Sequence, residues 1–86
     1  MNIPEKAEEK ATLLRSLLVI EMRKSGLGQV EIATRAGTSQ STVARLWAGQ
    51  AMPGLAEFIA YCWVLGLNPT EVLQSVDTRP PREKTD

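Results

Sequence analysis

The apolar positions of the first quarter of the chain recur at steps of three and four residues, the period of one helical face. Pro4 suits the first turn of a helix, and Gly26 suits the position just after a helix ends. We therefore predict a first helix that is long for so small a chain, with its first two turns projecting or packing against a partner. Its expected core face comprises Ala7, Ala11, Leu14, Leu17, Leu18 and Met22, widened by Leu13, Val19 and Ile20.

Two short amphipathic segments follow, separated by a glycine. The first runs from Gln29 to Arg35, and the second runs from Gln40 to about Ala48 after Ser39, a good N-cap residue. Gly37 between them permits the positive φ of a tight turn. Two helices joined in this way form a helix-turn-helix, here over residues 29–49, whose second helix enters the DNA major groove. The positions expected to hold the two helices together are Ile32, Ala33, Val43 and Leu46.

The last third of the chain predicts two more helices. The fourth spans Leu55 to Leu65 and the fifth begins at Asn68-Pro69, an N-cap followed by proline at the first helical position. The expected core positions of the fourth helix are Leu55, Phe58, Ile59, Cys62 and Leu65. From residue 77 onward the only apolar residues are prolines. We therefore predict an all-α domain over residues 1–76 and a disordered tail over residues 77–86.

Composition excludes several classes of function. The chain has 86 residues with one cysteine, Cys62, and no histidine. An internal disulfide, a Cys/His zinc site and a histidine-dependent catalytic pair are therefore impossible, and we expect no enzyme, metal or cofactor. No apolar run has membrane-spanning length, and the first residues do not resemble a signal peptide, so we expect a cytoplasmic protein.

The net charge of zero argues at first against nucleic acid, but the charges are unevenly distributed. Residues 15–50 hold five basic and two acidic side chains, whereas the segments on both sides are acidic overall. The positive excess thus coincides with the predicted helix-turn-helix. Because it is modest, we expect weak and salt-sensitive attraction to phosphate.

The exposed positions of the second short helix carry side chains that can recognise base pairs. They are Gln40, Ser41, Ala44 and Arg45. Arginine can bind guanine O6 and N7, glutamine can bind adenine N6 and N7, and serine can bind either base. The alternative interpretation is a solvated helix face without a ligand.

Residues 29–46 resemble the helix-turn-helix of the Cro and lambda-repressor (XRE-type) family. Residues 49–53 resemble the loop that follows it, and residues 55–67, which end in Leu-Gly-Leu, resemble its next helix. This resemblance extends over residues 14–76. It implies a compact five-helix bundle with an extended first helix, double-stranded DNA as the partner, and a homodimeric repressor of a palindromic operator in a phage or plasmid control circuit. We expect no small-molecule ligand, because no ligand-sensing module is visible beside the predicted DNA-binding domain, and a second regulatory protein as a further partner is left open.

By position, the resemblance makes Gln29 a phosphate ligand, with further phosphate contacts from Ser39, Thr42 and the backbone of Gly49 and Gln50. Three positions depart from the family pattern. Met22 and Gln50 stand where the family commonly has basic residues, and Trp47 stands where it commonly has an acidic one. The phosphate clamp is therefore either weaker than usual or rebuilt from Arg23, Lys24 and Arg35.

Several questions are open at the level of sequence. Trp47 fits either the edge of the core or a contact with DNA or a partner. A set of residues around the fourth and fifth helices fits either packing within the monomer or a dimer interface: Tyr61, Trp63, Leu67 and Val72. The alternative to a repressor is an antitoxin-type protein, or an interaction module of the same fold that does not bind DNA.

Overall fold

Five α-helices follow one another in the computed structural model, which describes residues 3–77. They are α1 (Glu5–Lys24), α2 (Gln29–Ala36), α3 (Gln40–Trp47), α4 (Leu55–Val64) and α5 (Pro69–Val76). No strand occurs within this part of the chain, which confirms the all-α prediction. The predicted tail, apart from its first residue, lies outside the described residues.

Local capping signals define where the helices begin. The Ser39 hydroxyl accepts a hydrogen bond from the Thr42 backbone N–H at 3.2 Å, so Ser39 caps α3 as predicted. The Asn68 side chain caps α5 by accepting from the N–H groups of Thr70 and Glu71 at 2.9 and 3.4 Å.

The turn between α2 and α3 depends on one glycine. Gly37 ends α2 in the left-handed conformation, with φ of +78°, which a residue with a Cβ adopts only at a cost. The Thr38 N–H then donates to the carbonyl of Ala33 at 2.9 Å, closing the helix end. This turn sets the angle at which α3 leaves α2.

One apolar core joins α1, α2, α3 and α4. Its buried members are Leu18, Met22, Ile32, Ala33, Val43, Leu46, Phe58, Tyr61 and Cys62. α5 adds Val76, which is also buried. The Tyr61 hydroxyl lies 3.4 Å from the Thr38 hydroxyl, so the buried phenol contacts the turn of the helix-turn-helix. Burial also raises the pKa of the Cys62 thiol, in keeping with its predicted place in the core.

The predicted core face of α4 is confirmed in part. Phe58 and Cys62 are buried and Leu65 packs against the core, as expected. Leu55 and Ile59, also expected in the core, are 86% and 37% exposed, whereas Tyr61, which the sequence left open between monomer packing and a dimer interface, is fully buried. The helix is apolar on all sides, so its sequence contains no polar face that would fix its rotation. Trp63 is 71% exposed, while Leu67 and Val72 pack partly against the core.

The buried face of α1 is narrower than predicted. Leu18 and Met22 are buried, whereas Ala7 and Ala11 are exposed together with the rest of the first turns. Leu13 and Ile20, expected to widen the core face, are also exposed. The small body of the protein contacts only the later turns of this long helix.

Replacing the two neighbouring aromatic residues of α4 should have opposite consequences for stability. Tyr61→Ala should lower the free energy of unfolding by about 3–5 kcal/mol, because it empties a fully buried site. Trp63→Ala should change it by less than about 0.5 kcal/mol, because that ring is mostly in solvent. Urea denaturation at low protein concentration measures both. Equal losses would contradict the rotation of α4 described above.

Candidate nucleic-acid interface

The outer face of α3 carries the residues predicted to contact bases. Gln40, Ser41 and Arg45 are exposed, and Ala44 is half-buried beside them. On the opposite side of the helix, Val43 and Leu46 are buried in the core. The face is therefore free on a helix that is firmly anchored from below.

The side chains of Gln29 and Gln40 form a hydrogen bond between the two helices of the motif. Gln40 Nε2 donates to Gln29 Oε1 at 2.7 Å. The sequence assigned these residues separate roles, and the contact between them was not predicted. The bond fixes the amide of Gln40 at the start of α3 and leaves the NH2 group of Gln29 with both hydrogens available.

The beginnings of both helices of the motif present groups suited to an anion. The Ser39 hydroxyl, besides capping α3, lies 2.8 Å from the Thr42 hydroxyl and 3.2 Å from that of Ser41. α2 begins after Gly28, which has no side chain to cap the first N–H groups. Uncapped N–H groups and the helix dipole together favour a bound anion at this end.

The backbone N–H groups of Gly49 and Gln50, which the sequence predicts to contact phosphate, form hydrogen bonds within the protein. They close the end of α3 by donating to the carbonyls of Leu46 at 3.1 Å and Arg45 at 2.9 Å. The turn takes this form because Gly49 adopts a φ of +74°. The side chain of Gln50, which is exposed at this position, is a further donor available to phosphate.

Two of the departures from the family pattern, Met22 and Trp47, form a contact with each other. Trp47 Nε1 lies 3.1 Å from Met22 Sδ, within hydrogen-bonding distance, and Arg23 lies over the Trp47 ring at 4.7 Å from its centroid. Met22 is fully buried, so a basic residue there would point at position 47 and away from solvent. The absence of a basic residue at position 22 therefore alters the packing of the core and does not remove a side chain from the protein surface. Trp47 lies at the edge of the core and holds Arg23 over its ring.

The five basic side chains within positions 15–50 divide into those with an acidic partner and those without one among the described residues. Lys24 pairs with Glu21 at 3.4 Å and Arg35 pairs with Glu31 at 2.6 Å, each within its own helix. These are the only two acidic residues of the segment, so its positive excess resides on Arg15, Arg23 and Arg45.

All three of these arginines lie at or near the second half of α3. Arg45 belongs to the helix, Arg23 covers its last residue, and Arg15 contacts the loop beyond it. Positive charge from two helices thus converges on one end of the predicted DNA-contacting helix.

The sequence did not single out Arg15, which the structure places beside the loop that follows α3. Its Nη1 donates to the carbonyl of Ala51 at 3.4 Å, and its Nη2 lies within 3.8 Å of where a side chain at Gly49 would begin. Arg15 is half-buried and forms no ion pair among the described residues. The one feature of the sequence that could have indicated Arg15 is its positive charge on an otherwise apolar face of the first helix.

Within residues 3–77, no cluster of three or more acidic or cysteine side chains is arranged to hold a metal ion. No helix in this range has both the length and the apolar character needed to cross a bilayer.

The fold and the α2–α3 geometry define a helix-turn-helix protein. A family model described as "Helix-turn-helix domain" matches residues 11–74, most of the chain, and the chain belongs to this family. The match confirms the resemblance to the Cro and lambda-repressor type noted in the sequence, and it supports DNA as the partner. No curated protein and no solved structure matches the chain in the corresponding comparisons.

The contact between Met22 and Trp47 predicts energetic coupling between these positions. Met22→Arg alone should destabilise the protein by about 3–5 kcal/mol, because it buries a charge without a partner. Adding Trp47→Glu should recover about 1–3 kcal/mol of this loss, because the two introduced charges meet. Thermal and urea unfolding of the two single variants and the double variant measure the coupling.

A matched control combines Met22→Arg with Trp63→Glu, which changes an exposed tryptophan that does not contact Met22. We expect the effects of this pair to add without coupling. If the effects of Met22→Arg and Trp47→Glu also add without coupling, the two positions do not form a pair. That result would contradict the interpretation that the Met22–Trp47 contact takes the place of a basic–acidic pair at these positions.

Proposed function

We propose that this protein is a homodimeric transcriptional repressor that binds a palindromic operator through α3 and excludes polymerase from a promoter, as in a phage or plasmid control circuit. The observation that carries the proposal is the Gln29–Gln40 hydrogen bond on the exposed face of α3. A solvated face has no need of a fixed amide, whereas base recognition requires one.

The hydrogen-bonding capacity of Gln40 fits adenine. One hydrogen of its NH2 group is donated to Gln29, and the other hydrogen and the carbonyl oxygen remain. The remaining hydrogen can go to adenine N7, while the oxygen accepts from adenine N6. The NH2 group of Gln29, at the start of α2, then donates to a phosphate oxygen. One pair of side chains thereby links the DNA backbone to a base.

Arg45 fits recognition of a guanine further along α3. It lies just over one helical turn after Ser41, on the same exposed side, and its guanidinium has no acidic partner among the described residues. Arginine binds guanine O6 and N7 with two parallel hydrogen bonds. Ala44, between these residues, suits contact with a thymine methyl group, and Ser41 can donate to or accept from a base edge.

A dimer follows from the small extent of this face. One α3 of eight residues contacts only a few base pairs, and two copies related by a two-fold axis double the contacted sequence. Half-sites are then expected about 10 bp apart, centre to centre. An interaction module that does not bind DNA would have no use for the ordered polar groups of α3.

Substitutions at Arg45 and Gln29 should change the preference for different base pairs of the operator half-site. Arg45→Ala should cost about 1–3 kcal/mol on the operator and relax the preference at one base pair per half-site. Gln29→Ala should weaken binding to all sequences and relax the preference at the different base pair contacted by Gln40. It should leave the salt dependence nearly unchanged, because it removes no charge.

The measurement is affinity for the selected operator and its single-base variants at two salt concentrations. Operator selection from random DNA comes first and also tests the proposal itself. Wild-type discrimination by Arg45→Ala would show that Arg45 does not contact bases. Failure of the wild-type protein to enrich any sequence would contradict sequence-specific DNA binding.

Arg15 is proposed to supply phosphate-binding charge that Gln50 lacks. Arg15→Gln should lower the slope of log affinity against log salt by about 0.9, the contribution of one phosphate contact on duplex DNA. Lys6→Gln is the matched control, since it removes the same charge from the exposed first turn of α1 and should leave the slope unchanged. If Arg15→Gln and Lys6→Gln show the same slope of log affinity against log salt, Arg15 does not contact phosphate and only holds the loop.

A further inference from the structure

The outer face of α4 is apolar and uncovered. Leu55, Ile59 and Trp63 follow at steps of four residues and are 86%, 37% and 71% exposed. We call these three residues the α4 stripe. The only charged residue of the helix is Glu57, whose carboxylate accepts from the Gly54 N–H at 2.7 Å and so caps its own helix. A helix that is apolar on all sides is normally buried on all sides.

Residues 78–86 are not suited to cover the stripe. The residues outside the described range are Met1, Asn2 and residues 78–86, and residues 78–86 contain no apolar residue other than two prolines. Five of these nine residues are charged. A segment of that composition gains little from contact with a tryptophan and two aliphatic side chains. This segment is therefore a poor occupant of the stripe.

We propose that the α4 stripe is the surface on which two copies of this chain associate, with the two α4 helices antiparallel across a two-fold axis at Ile59. The stripe is self-complementary in this arrangement, since Leu55 and Trp63 lie at equal distances on the two sides of Ile59. The large ring of one copy then meets the smaller Leu55 side chain of the other.

The neighbouring residues favour a close approach between identical copies. Ala56 and Ala60, the other residues on the outer side of α4, are small and uncharged. Because the stripe contains no ionisable group, identical copies meet there without repulsion between like charges. The interface also leaves Gln40, Ser41 and Arg45 of α3 unobstructed, because none of them belongs to α4.

The size of the stripe predicts that association is weak. An aromatic side chain buries at most about 250 Å², so three side chains fall short of the roughly 800 Å² per partner of a standard interface. The dimer should therefore form in solution only at high concentration. This inference extends the dimer of the proposed function, but it is tested without DNA.

Paired charge substitutions test the antiparallel arrangement. Leu55→Glu and Trp63→Lys should each raise the dimer dissociation constant by at least about tenfold, because each places a charge in an apolar interface. The double variant should recover most of this loss, because each glutamate then faces a lysine of the other copy. Within one chain the two positions lie about 12 Å apart along the helix, too far to pair directly.

Sedimentation equilibrium without DNA, up to about 1 mM protein, measures these dissociation constants. Leu13→Lys, on the exposed side of α1, is the matched control and should dimerise like the wild type. A wild-type protein that stays monomeric throughout this range would overturn the proposal, and the stripe would then be assigned to a different protein. Wild-type dimerisation of Trp63→Lys, or loss of the dimer in Leu13→Lys, would also overturn it.

A second measurement does not depend on how the charged variants fold. Ile59→Cys should form disulfide-linked dimers under mild oxidation, because the two-fold axis brings position 59 next to itself. Ile20→Cys, at an exposed position on α1, should link more slowly, and the native Cys62 is buried in both proteins. Equal rates of disulfide formation by Ile59→Cys and Ile20→Cys would contradict a two-fold axis at position 59. Because no DNA is present, either result is independent of whether α3 recognises bases.

Discussion

The position of α3 on the body of the protein depends on apolar packing at two places, its buried side and its last residue, where Trp47 contacts Met22. Val43 and Leu46 anchor the helix from below, but Trp47 at its end connects it to α1 and holds Arg23 beside it. Within the part of the chain that the structure describes, the core cluster has nine buried residues, and Trp47 packs against it from the edge. An apolar pair here avoids the desolvation penalty that a buried ion pair would carry. Arg23 is held beside α3 by the Trp47 ring, and Arg15 is held by the carbonyl of Ala51, so neither depends on an acidic partner.

Local signals made the helix boundaries predictable from sequence. Ser39 and Asn68 cap helices through neighbours two or three residues away, and Gly37 determines its turn by its own conformation. The rotation of α4 was predictable only in part, because it also depends on where Tyr61 meets Thr38, 23 residues earlier in the chain. A helix with apolar residues on every side allows several rotations, and tertiary contacts select one of them.

The candidate site was predictable as a set of residues but not as an arrangement. The exposed positions of α3 followed from the helical period, whereas the Gln29–Gln40 bond and the Arg15 contact with Ala51 join residues 11 and 36 positions apart. The backbone of Gly49 and Gln50 shows that position in the family pattern does not reveal which N–H groups are already hydrogen-bonded within the protein. Family position suggested free donors, but helix closure had already used both N–H groups.

Burial of Cys62 gives the protein an internal probe of its own opening. The thiol is inaccessible, and the pKa raised by burial further lowers the fraction of reactive thiolate in the native state. Modification by a soluble thiol reagent must therefore wait for α4 to separate from the core. The rate of labelling, followed over reagent concentration, then gives the free energy of that opening without any introduced label.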